Sequence, residues 1–246
     1  MIRLIENTTK EELEKLTAFA ETDCLGVRAL GPFLAYGTGY DFLDAWVQET
    51  DEITAFITRF YGAVTVCAGE GADRDEIEEF LAVLGVSDFT ANFEKGRKNV
   101  MKLERGGDCK ALPVTNCNCI ENSNYKAFYD IISECHDDYD AARFEDWYVD
   151  MSHRVRHGTA DIFLLACADA AGTNSFVSAA AALSVTPHCV FLSAISTLPQ
   201  YRGMHFAHTL IRSVCSKYAD RTVYLLCDDD KVPFYEKAGF HKESEC

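Results

Sequence analysis

A strand-like run passes through a short turn into an apolar helix near residue 200, and this arrangement constrains the fold more than any other feature of the sequence. A strand is predicted over residues 188–197 and a helix over 204–218, with Pro199, Arg202 and Gly203 in the turn between them. The unpaired N–H groups at a helix N-terminus and its partial positive charge together hold a phosphate. The turn therefore indicates an α/β protein with an anion-binding site. The alternative is an ordinary strand-to-helix turn.

The residues around this turn alternate between strand-like and helix-like runs. Four consecutive alanines, residues 179–182, favour a helix by propensity. Because Pro187 follows closely, we assign them to one arm of a strand hairpin that turns at Thr186 and Pro187. The predicted strands of this half are 113–120, 161–168, 175–185, 188–197, 222–227 and a last one from Phe240, and its predicted helices are 123–136, 142–156, 204–218 and 230–237.

The first hundred residues repeat this order at shorter length. Both halves contain the series strand, strand, strand, helix, strand, which predicts duplication of one α/β (α+β mixed) fold, with a mixed, mostly antiparallel sheet flanked by helices in each half. The hydrophilic segment 94–110 separates them, so we place the domains at 1–108 and 109–246. The predicted N-terminal helices are 10–20, 24–35 and 73–84, with Asp73 as N-cap and Gly85 as stop, and the predicted strands are 42–48, 53–60, 63–68 and 86–90.

Two motifs of the C-terminal half resemble the GNAT superfamily of N-acetyltransferases. The run QYRGMH at residues 200–205 is similar to its Q/R-x-x-G-x-G/A coenzyme A loop. The run FYEKAGF at residues 234–240 is similar to the YEKxGF signature that ends that fold. A predicted helix and strand separate them, as in the family. The resemblance implies a tandem GNAT-like fold whose C-terminal half binds acetyl-CoA and whose N-terminal half is degenerate.

The resemblance also implies a role for individual residues. Tyr235 would protonate the departing coenzyme A thiolate, because a phenol with an ordinary pKa near 10 stays protonated at neutral pH; the alternative is a buried packing role. Backbone groups of the strand end would bind the pantetheine arm, and the N–H groups of the turn and helix start would bind the pyrophosphate. The implied cofactor residues are Ile195, Ser196, Thr197, Arg202, Gly203, Met204, His205, Phe206 and Ala207.

The sequence departs from the family pattern at three points. His205 stands where the loop has glycine or alanine, and Asp228 stands where asparagine is frequent. Residues 188–197 contain no acid, although many relatives have a glutamate base on that strand. His188, Ser193, Ser196 and Thr197 are the polar side chains there, and a water chain is the alternative route for the amine proton.

Acids and aromatics alternate over residues 136–150, where the resemblance places the acceptor site. Asp137, Asp138, Asp140 and Trp147 predict capture of a cationic small-molecule amine through ion pairing and cation–π contact. The alternative is a solvated helix face with aromatics in the core.

The degenerate half lacks the anion-binding loop. At the equivalent point residues 68–75 read AGEGADRD, in which three acids and one arginine suit a pyrophosphate poorly. We expect this half to pack against the catalytic half and to wall its acceptor site. The enzyme interpretation is an amine N-acetyltransferase. The alternative is a coenzyme A-binding or regulatory module without turnover.

Composition and charge exclude several other classes. The net charge of −16 opposes binding to nucleic acid, whose phosphates need a basic face. No run reaches the about 18 apolar residues that span a bilayer, and no signal peptide is evident, so we expect a cytoplasmic monomer or homodimer.

The chain contains eleven cysteines, an odd number, and several lie inside apolar runs. Because the chain is neither short nor evidently secreted, we interpret them as reduced core thiols. The alternative is a zinc site at Cys109, Cys117, Cys119, Cys135 and His136, but these residues contain no CxxC pair, and we predict no metal.

Overall fold

A computed structural model of the chain describes residues 1–94, 98–110, 114, 117–137, 139–168 and 174–245. Within these residues the strands form two sheets, one of five strands and one of seven. This confirms the predicted mixed α/β fold, with a mostly antiparallel sheet and flanking helices in each half. None of the helices in this part of the chain is long and apolar enough to cross a membrane.

The first sheet is built from the N-terminal half. Its strands lie in the order β1-β2-β3-β4-β5, antiparallel except for the pair β4–β5. The predicted strand 86–90 is wrong over most of its length, because the strand there begins only at Thr90. The elements are β1 (Ile2–Leu4), α1 (Lys10–Ala20), α2 (Cys24–Tyr36), β2 (Leu43–Glu49), β3 (Ile53–Phe60), β4 (Ala63–Ala68), α3 (Arg74–Val83) and β5 (Thr90–Ala91).

Local signals set the ends of α3 as predicted. The Asp73 side chain accepts a hydrogen bond from the Glu76 N–H at 3.1 Å and so caps the helix. After the helix, Gly85 adopts a left-handed conformation with φ 72°, which favours glycine.

The second sheet contains the other strands, in the order β12-β6-β11-β10-β9-β8-β7. Its one parallel pair among the described strands is β10–β11. The elements are β6 (Asn99–Leu103), β7 (Cys117–Glu121), α4 (Tyr125–Cys135), α5 (Phe144–Arg156), β8 (Asp161–Ala168), β9 (Asn174–Val185), β10 (Cys189–Thr197), α6 (Phe206–Lys217), β11 (Thr222–Cys227), α7 (Val232–Lys237) and β12 (His241–Glu245).

Strand β6 connects the two halves and was not predicted, because it is short and charged residues flank it. It lies between β11 and β12 and is antiparallel to both, with Asn99 opposite Cys227 and Leu103 opposite Val223. The chain therefore enters the second sheet before residue 108. The predicted boundary between residues 108 and 109 falls after the first strand of that sheet.

The four alanines lie in the middle of β9, as assigned, and they leave room for helices on both faces of the sheet. Ala179 and Ala181 pack with α4 and α5. Ala180 and Ala182 pack on the other face with α6. All four are fully buried, so the tertiary burial of the strand overrides the helical propensity of alanine.

Helix α2 joins the halves by lying against β9. Ser184 donates a hydrogen bond from its hydroxyl to the carbonyl of Arg28 at 3.0 Å. A Cβ built on Gly31 would lie 2.3 Å from the Ser184 Oγ and 2.8 Å from its Cα. The helix therefore approaches the strand closely enough that only glycine fits at residue 31.

A disulfide in the second sheet corrects the prediction that the cysteines are reduced. Cys117 and Cys167 are register partners of β7 and β8, with Cα atoms 4.2 Å apart and the sulfur atoms bonded at 2.06 Å. Opposite residues of an antiparallel pair approach within the reach of a disulfide. The sequence did not reveal this bond, because the partners are separated by 50 residues.

We predict that Gly31→Ala destabilises the protein. In an open helix this change stabilises by about 1 kcal/mol, but here the new methyl group meets the backbone of Ser184, and overpacking costs about 1–3 kcal/mol. Urea unfolding should show a lower midpoint than the parent. Gly71→Ala is the matched control, because a Cβ there meets only the Thr54 methyl at 3.4 Å. An unchanged or raised midpoint for Gly31→Ala would contradict the close packing of α2 on β9.

Candidate active site

The parallel strands β10 and β11 separate before either of them ends. Their register runs from the pair Cys189–Thr222 to the pair Leu192–Leu225 and stops there. Both strands continue, β10 to Thr197 and β11 to Cys227. A wedge therefore opens between their carboxyl ends, at the edge where open α/β sheets bind ligands.

A bulge in β10 accompanies this separation. The register with β9 shifts between Ser193 and Ser196, so that one additional residue of β10 lies opposite β9. Ala194 has a φ of 51°, which is uncommon for a residue other than glycine. A bulge bends its strand and redirects the side chains, so β10 follows β9 and leaves β11.

The wedge widens into a cleft of about 820 Å³, within the usual size range of ligand sites. The ends of β10 and β11, the turn before α6, the first turn of α6 and α7 form its walls, and the end of α4 contributes on one side. Of the described residues of the N-terminal 98, Lys98 alone lines it.

The turn before α6 presents a row of backbone donors. Pro199–Tyr201 forms a 3₁₀ turn, and the Arg202 N–H donates to the Pro199 carbonyl at 3.3 Å. The N–H groups from Gly203 to Ala207 have no acceptor among the described residues. Gly203 and His205 are both left-handed, with φ values of 80° and 62°. Unpaired donors at a helix N-terminus are an arrangement that can hold an anion.

The predicted cofactor residues lie along this cleft with one exception. Met204 does not line the cleft and is 53% exposed. The N–H of Arg202 is already bonded, so the donor row begins one residue later than predicted. The predicted cofactor residues that line the cleft are Ile195, Ser196, Thr197, Arg202, Gly203, His205, Phe206 and Ala207.

Tyr235 of α7 lies in the same cleft, close to the end of β11. Its side chain is 8% exposed and packs edge-on against Phe234 and Phe240. The hydroxyl makes no hydrogen bond to any described residue. Burial, with a smaller contribution from Cys227, raises the pKa of Tyr235 well above its ordinary value. The phenol therefore stays protonated, and its hydroxyl proton has no acceptor among the described residues.

The comparisons with known proteins agree with this arrangement. A model of the acetyltransferase (GNAT) family matches residues 124–240. Residues 124–240 form a GNAT domain. No curated protein sequence matches the chain significantly.

Solved structures show that the tandem arrangement is a GNAT fold repeated. A tandem GNAT protein from the clavulanic acid biosynthesis pathway is 12% identical with a TM-score of 0.59, over 98% of this chain and 95% of that one. A GCN5-related N-acetyltransferase from Kribbella flavida is 12% identical with a TM-score of 0.52, over 89% and 91%. At such identities the likeness establishes the fold alone, with a GNAT domain in the C-terminal half and a GNAT-like N-terminal half.

The Thr197 carbonyl of this GNAT domain is already used by the chain. The Arg202 Nε donates to it at 3.1 Å, and the Cys135 thiol donates to it at 3.5 Å. We had expected this backbone to bind a pantetheine arm. In the structure the carbonyl binds two side-chain donors, and the Arg202 side chain points to it along the cleft wall.

Two of the three departures from the GNAT pattern, His205 and Asp228, each have a neighbour that accommodates them. The His205 ring lies beside the His208 ring, with centroids 5.9 Å apart, and His208 stacks on Phe234 at 4.3 Å. Asp228 forms an ion pair with Lys98 at 2.5 Å. Strand β6 therefore positions a cation beside the carboxylate that replaces asparagine.

His136 lines the cleft, although the sequence suggested it only as a zinc ligand. It follows the last residue of α4, and its Nε2 lies 2.8 Å from the Ser196 Oγ. Both side chains line the cleft. Within the described residues no group of three or more histidine, cysteine or acidic side chains is arranged to hold a metal. The sequence offered one signal for His136. A histidine ends the first predicted helix of the C-terminal half, and the strand predicted at residues 188–197 carries no acid.

The residues predicted to bind the acceptor are not brought together at the cleft. The Asp140 side chain accepts from the Ala142 N–H at 2.9 Å and caps a turn. Trp147 stacks on Phe128 at 5.4 Å in the core between α4 and α5. Asp137 is exposed and does not line the cleft, and Asp138 lies outside the described residues. Their role in acceptor binding stays a prediction.

The N-terminal half closes the equivalent wedge with its own side chains. The Asn92 amide bridges β4 and β5: its Oδ1 accepts from the Ala68 N–H and its Nδ2 donates to the Ala68 carbonyl, each at 2.9 Å. At the start of α3, the Asp73 N–H donates to the Gln48 Oε1 at 2.9 Å, and Asp73 itself accepts from Glu76. Two of the backbone donors at the start of α3, those of Asp73 and Glu76, are therefore satisfied by side chains, whereas the donors before α6 have no acceptor among the described residues.

Because its pKa is raised, we predict that Tyr235 does not ionise near pH 10, the usual range for a tyrosine. The neutral phenol is the form that burial favours, so the donor persists to higher pH. Ultraviolet titration of the parent and of Tyr235→Phe should show the same tyrosinate absorbance gain up to about pH 10. A gain that is one tyrosine smaller in the variant would contradict the buried position of the ring.

Proposed function

We propose that the chain is an N-acetyltransferase that moves the acetyl group of acetyl-CoA to the amine of a small molecule. The observation that carries this proposal is the row of N–H groups from Gly203 to Ala207, which lacks an acceptor among the described residues and whose residues, except Met204, line the cleft. A diphosphate at this helix N-terminus would satisfy these donors and interact favourably with the helix dipole.

The open wedge suits an extended pantetheine arm. Ala194 and Ile195 have no register partner on β9 or β11. Apart from the Ala194 carbonyl, which accepts from the Ser196 hydroxyl at 3.2 Å, we assign their backbone groups to an amide-containing chain that lies between the strands, much as a peptide adds to a sheet edge. The Thr197 carbonyl is less available, so we assign the arm to Ala194 and Ile195 first.

Direct attack of the amine on the thioester is the reaction that this cleft supports best. Acetyl-CoA supplies the activated acetyl group, and the chain supplies positioning, which accounts for a large part of the rate in such transfers. The Tyr235 hydroxyl, which lines the cleft and is protonated at neutral pH, donates its proton to the departing sulfur.

A coenzyme A-binding module without turnover is the second candidate. The absence of a carboxylate from β10 favours it, since that strand then offers no acidic general base. Release of free thiol from acetyl-CoA in the presence of benzylamine, putrescine or glucosamine separates the two candidates. Binding without any thiol release would favour the module.

We predict that Gly203→Val abolishes binding of acetyl-CoA measured by calorimetry. Gly203 has a φ of 80°, a conformation that a β-branched residue adopts only with strain. The change therefore moves the first donor of the row.

Gly158→Val is the matched control for Gly203→Val. Gly158 has a φ of 69° and an open Cβ position, like Gly203, but it follows α5 and does not line the cleft. It should show similar backbone strain and unchanged binding. Equal affinities for Gly203→Val and the parent would refute the assignment of the turn.

We predict that Tyr235→Phe lowers kcat by about 10²-fold or more, which is the usual range of general acid catalysis, while acetyl-CoA affinity stays similar. The variant keeps the ring and removes only the donor. Tyr224→Phe is the control, because Tyr224 is buried in the adjoining strand β11 but does not line the cleft. An undiminished kcat in a reaction limited by chemistry would leave Tyr235 with a packing role.

A further inference from the structure

We propose that Ser196 and His136 form a relay that removes the proton from the attacking amine; this inference rests on the proposed acetyl transfer. The His136 Nε2 and the Ser196 Oγ are 2.8 Å apart. Both residues line the cleft. The pair joins the end of α4 to β10 just beyond the bulge.

The bulge determines where this pair lies. Ser196 is the first residue after the register shift, and its hydroxyl lies 3.2 Å from the carbonyl of Ala194, the residue in the left-handed conformation. The hydroxyl is therefore held next to the backbone segment that we assign to the arm of the donor. A group that receives the amine proton must lie within hydrogen-bond reach of the nucleophile, which attacks at the end of that arm.

The other basic groups along the cleft are engaged elsewhere. Asp228 and Asp230, its two acidic residues among the described ones, are exposed at the end of β11 and pair with Lys98 and Lys231 at 2.5 Å each. No carboxylate lies on β10.

Three histidines line the cleft. His208 stacks on Phe234, and its Nε2 lies 3.3 Å from the carbonyl of that residue. His205 is the N-cap of α6, at the row of donors assigned to phosphate. His136 lies beside β10, with its Nε2 2.8 Å from the Ser196 Oγ. An imidazole is the side chain whose ordinary pKa lies nearest neutrality, which suits a general base.

Among the described residues, the charged and titratable groups seen around His136 lie in its own segment and in the turn before α6. Cys135 and Asp137 adjoin it in the chain, and the Tyr139 ring lies edge-on at 6.1 Å. The Arg202 guanidinium contacts the Cys135 sulfur at 3.9 Å and the Thr197 carbonyl at 3.1 Å, which belong to the chain neighbours of His136 and Ser196. A cation there disfavours a second positive charge, so the amine would be bound neutral.

The proton transfers balance without another reactant. As the amine nitrogen bonds to the thioester carbon, its proton passes to the Ser196 Oγ while the Ser196 hydroxyl proton passes to the His136 Nε2. The carbon–sulfur bond breaks, and the sulfur takes the proton of Tyr235. The imidazolium then loses its proton to solvent and the phenolate regains one, which leaves an amide and a free thiol.

The test compares His136→Gln with His157→Gln in the full chain, with benzylamine, putrescine or glucosamine as acceptor. His157 is exposed on the last turn of α5 and does not line the cleft. We expect His136→Gln to lower kcat about 10²-fold or more. In the parent kcat should fall toward acid pH, and this fall should disappear in the variant. His157→Gln should behave as the parent does. An unchanged pH profile of kcat in His136→Gln would overturn the relay.

Two serine variants separate the relay from a structural role. Ser196→Thr keeps a hydroxyl and should retain most of the kcat, whereas Ser196→Ala should lower kcat as His136→Gln does. Imidazole added to His136→Ala should restore part of the rate. A Ser196→Ala variant with the parent kcat would refute the relay.

Calorimetry with acetyl-CoA distinguishes failure of the relay from failure of the proposed function. The His136 variants should bind as the parent does, since His136 is not among the residues assigned to the cofactor. A parent that neither binds acetyl-CoA nor releases thiol would refute acetyl transfer and the relay together. A parent that does both, with His136 variants of parental rate, would refute the relay alone.

Discussion

The separation of β10 from β11 is the constraint on which the functional half depends. A parallel pair that stayed in register to its ends would satisfy its own backbone groups and leave no room for a ligand. The bulge at Ala194 keeps β10 on β9 and takes it away from β11 after Leu192. The open backbone, the unpaired start of α6 and the Tyr235 hydroxyl then face one cleft.

The two halves have the same fold but differ in how the opening between their parallel strands is filled. In the N-terminal half the Asn92 amide bridges the strands, and Gln48 and Asp73 satisfy donors at the start of α3. Buried polar groups need partners, and here the chain provides them from its own side chains. In the C-terminal half the donors from Gly203 to Ala207 have no acceptor among the described residues. The two halves therefore differ in whether the chain itself fills this opening.

The N-terminal half contacts the C-terminal half at several places, among them helix α2 and strand β6. Helix α2 packs on β9 so closely that residue 31 must be glycine. Strand β6 is inserted between β11 and β12, and it places Lys98 on Asp228 and Asn99 on Asp229 at the rim of the cleft. Because β6 pairs with the strand that forms one wall of the wedge, the position of that wall depends on the segment that connects the halves.

Local patterns in the sequence determined the helices and most strands, the repeated order of elements, the turn at Gly203 and the motif around Tyr235, because each depends on neighbours within a few residues. The same patterns did not reveal β6, the bond between Cys117 and Cys167, or the hydrogen bonds that Arg202 and Cys135 donate to the Thr197 carbonyl. These patterns also did not reveal the contact between His136 and Ser196. These depend on strand register, on one additional residue in β10 and on the packing of α4 against the sheet. Only the tertiary structure decided them, because contacts between distant segments are set by how whole elements pack and not by the propensity of any one of them.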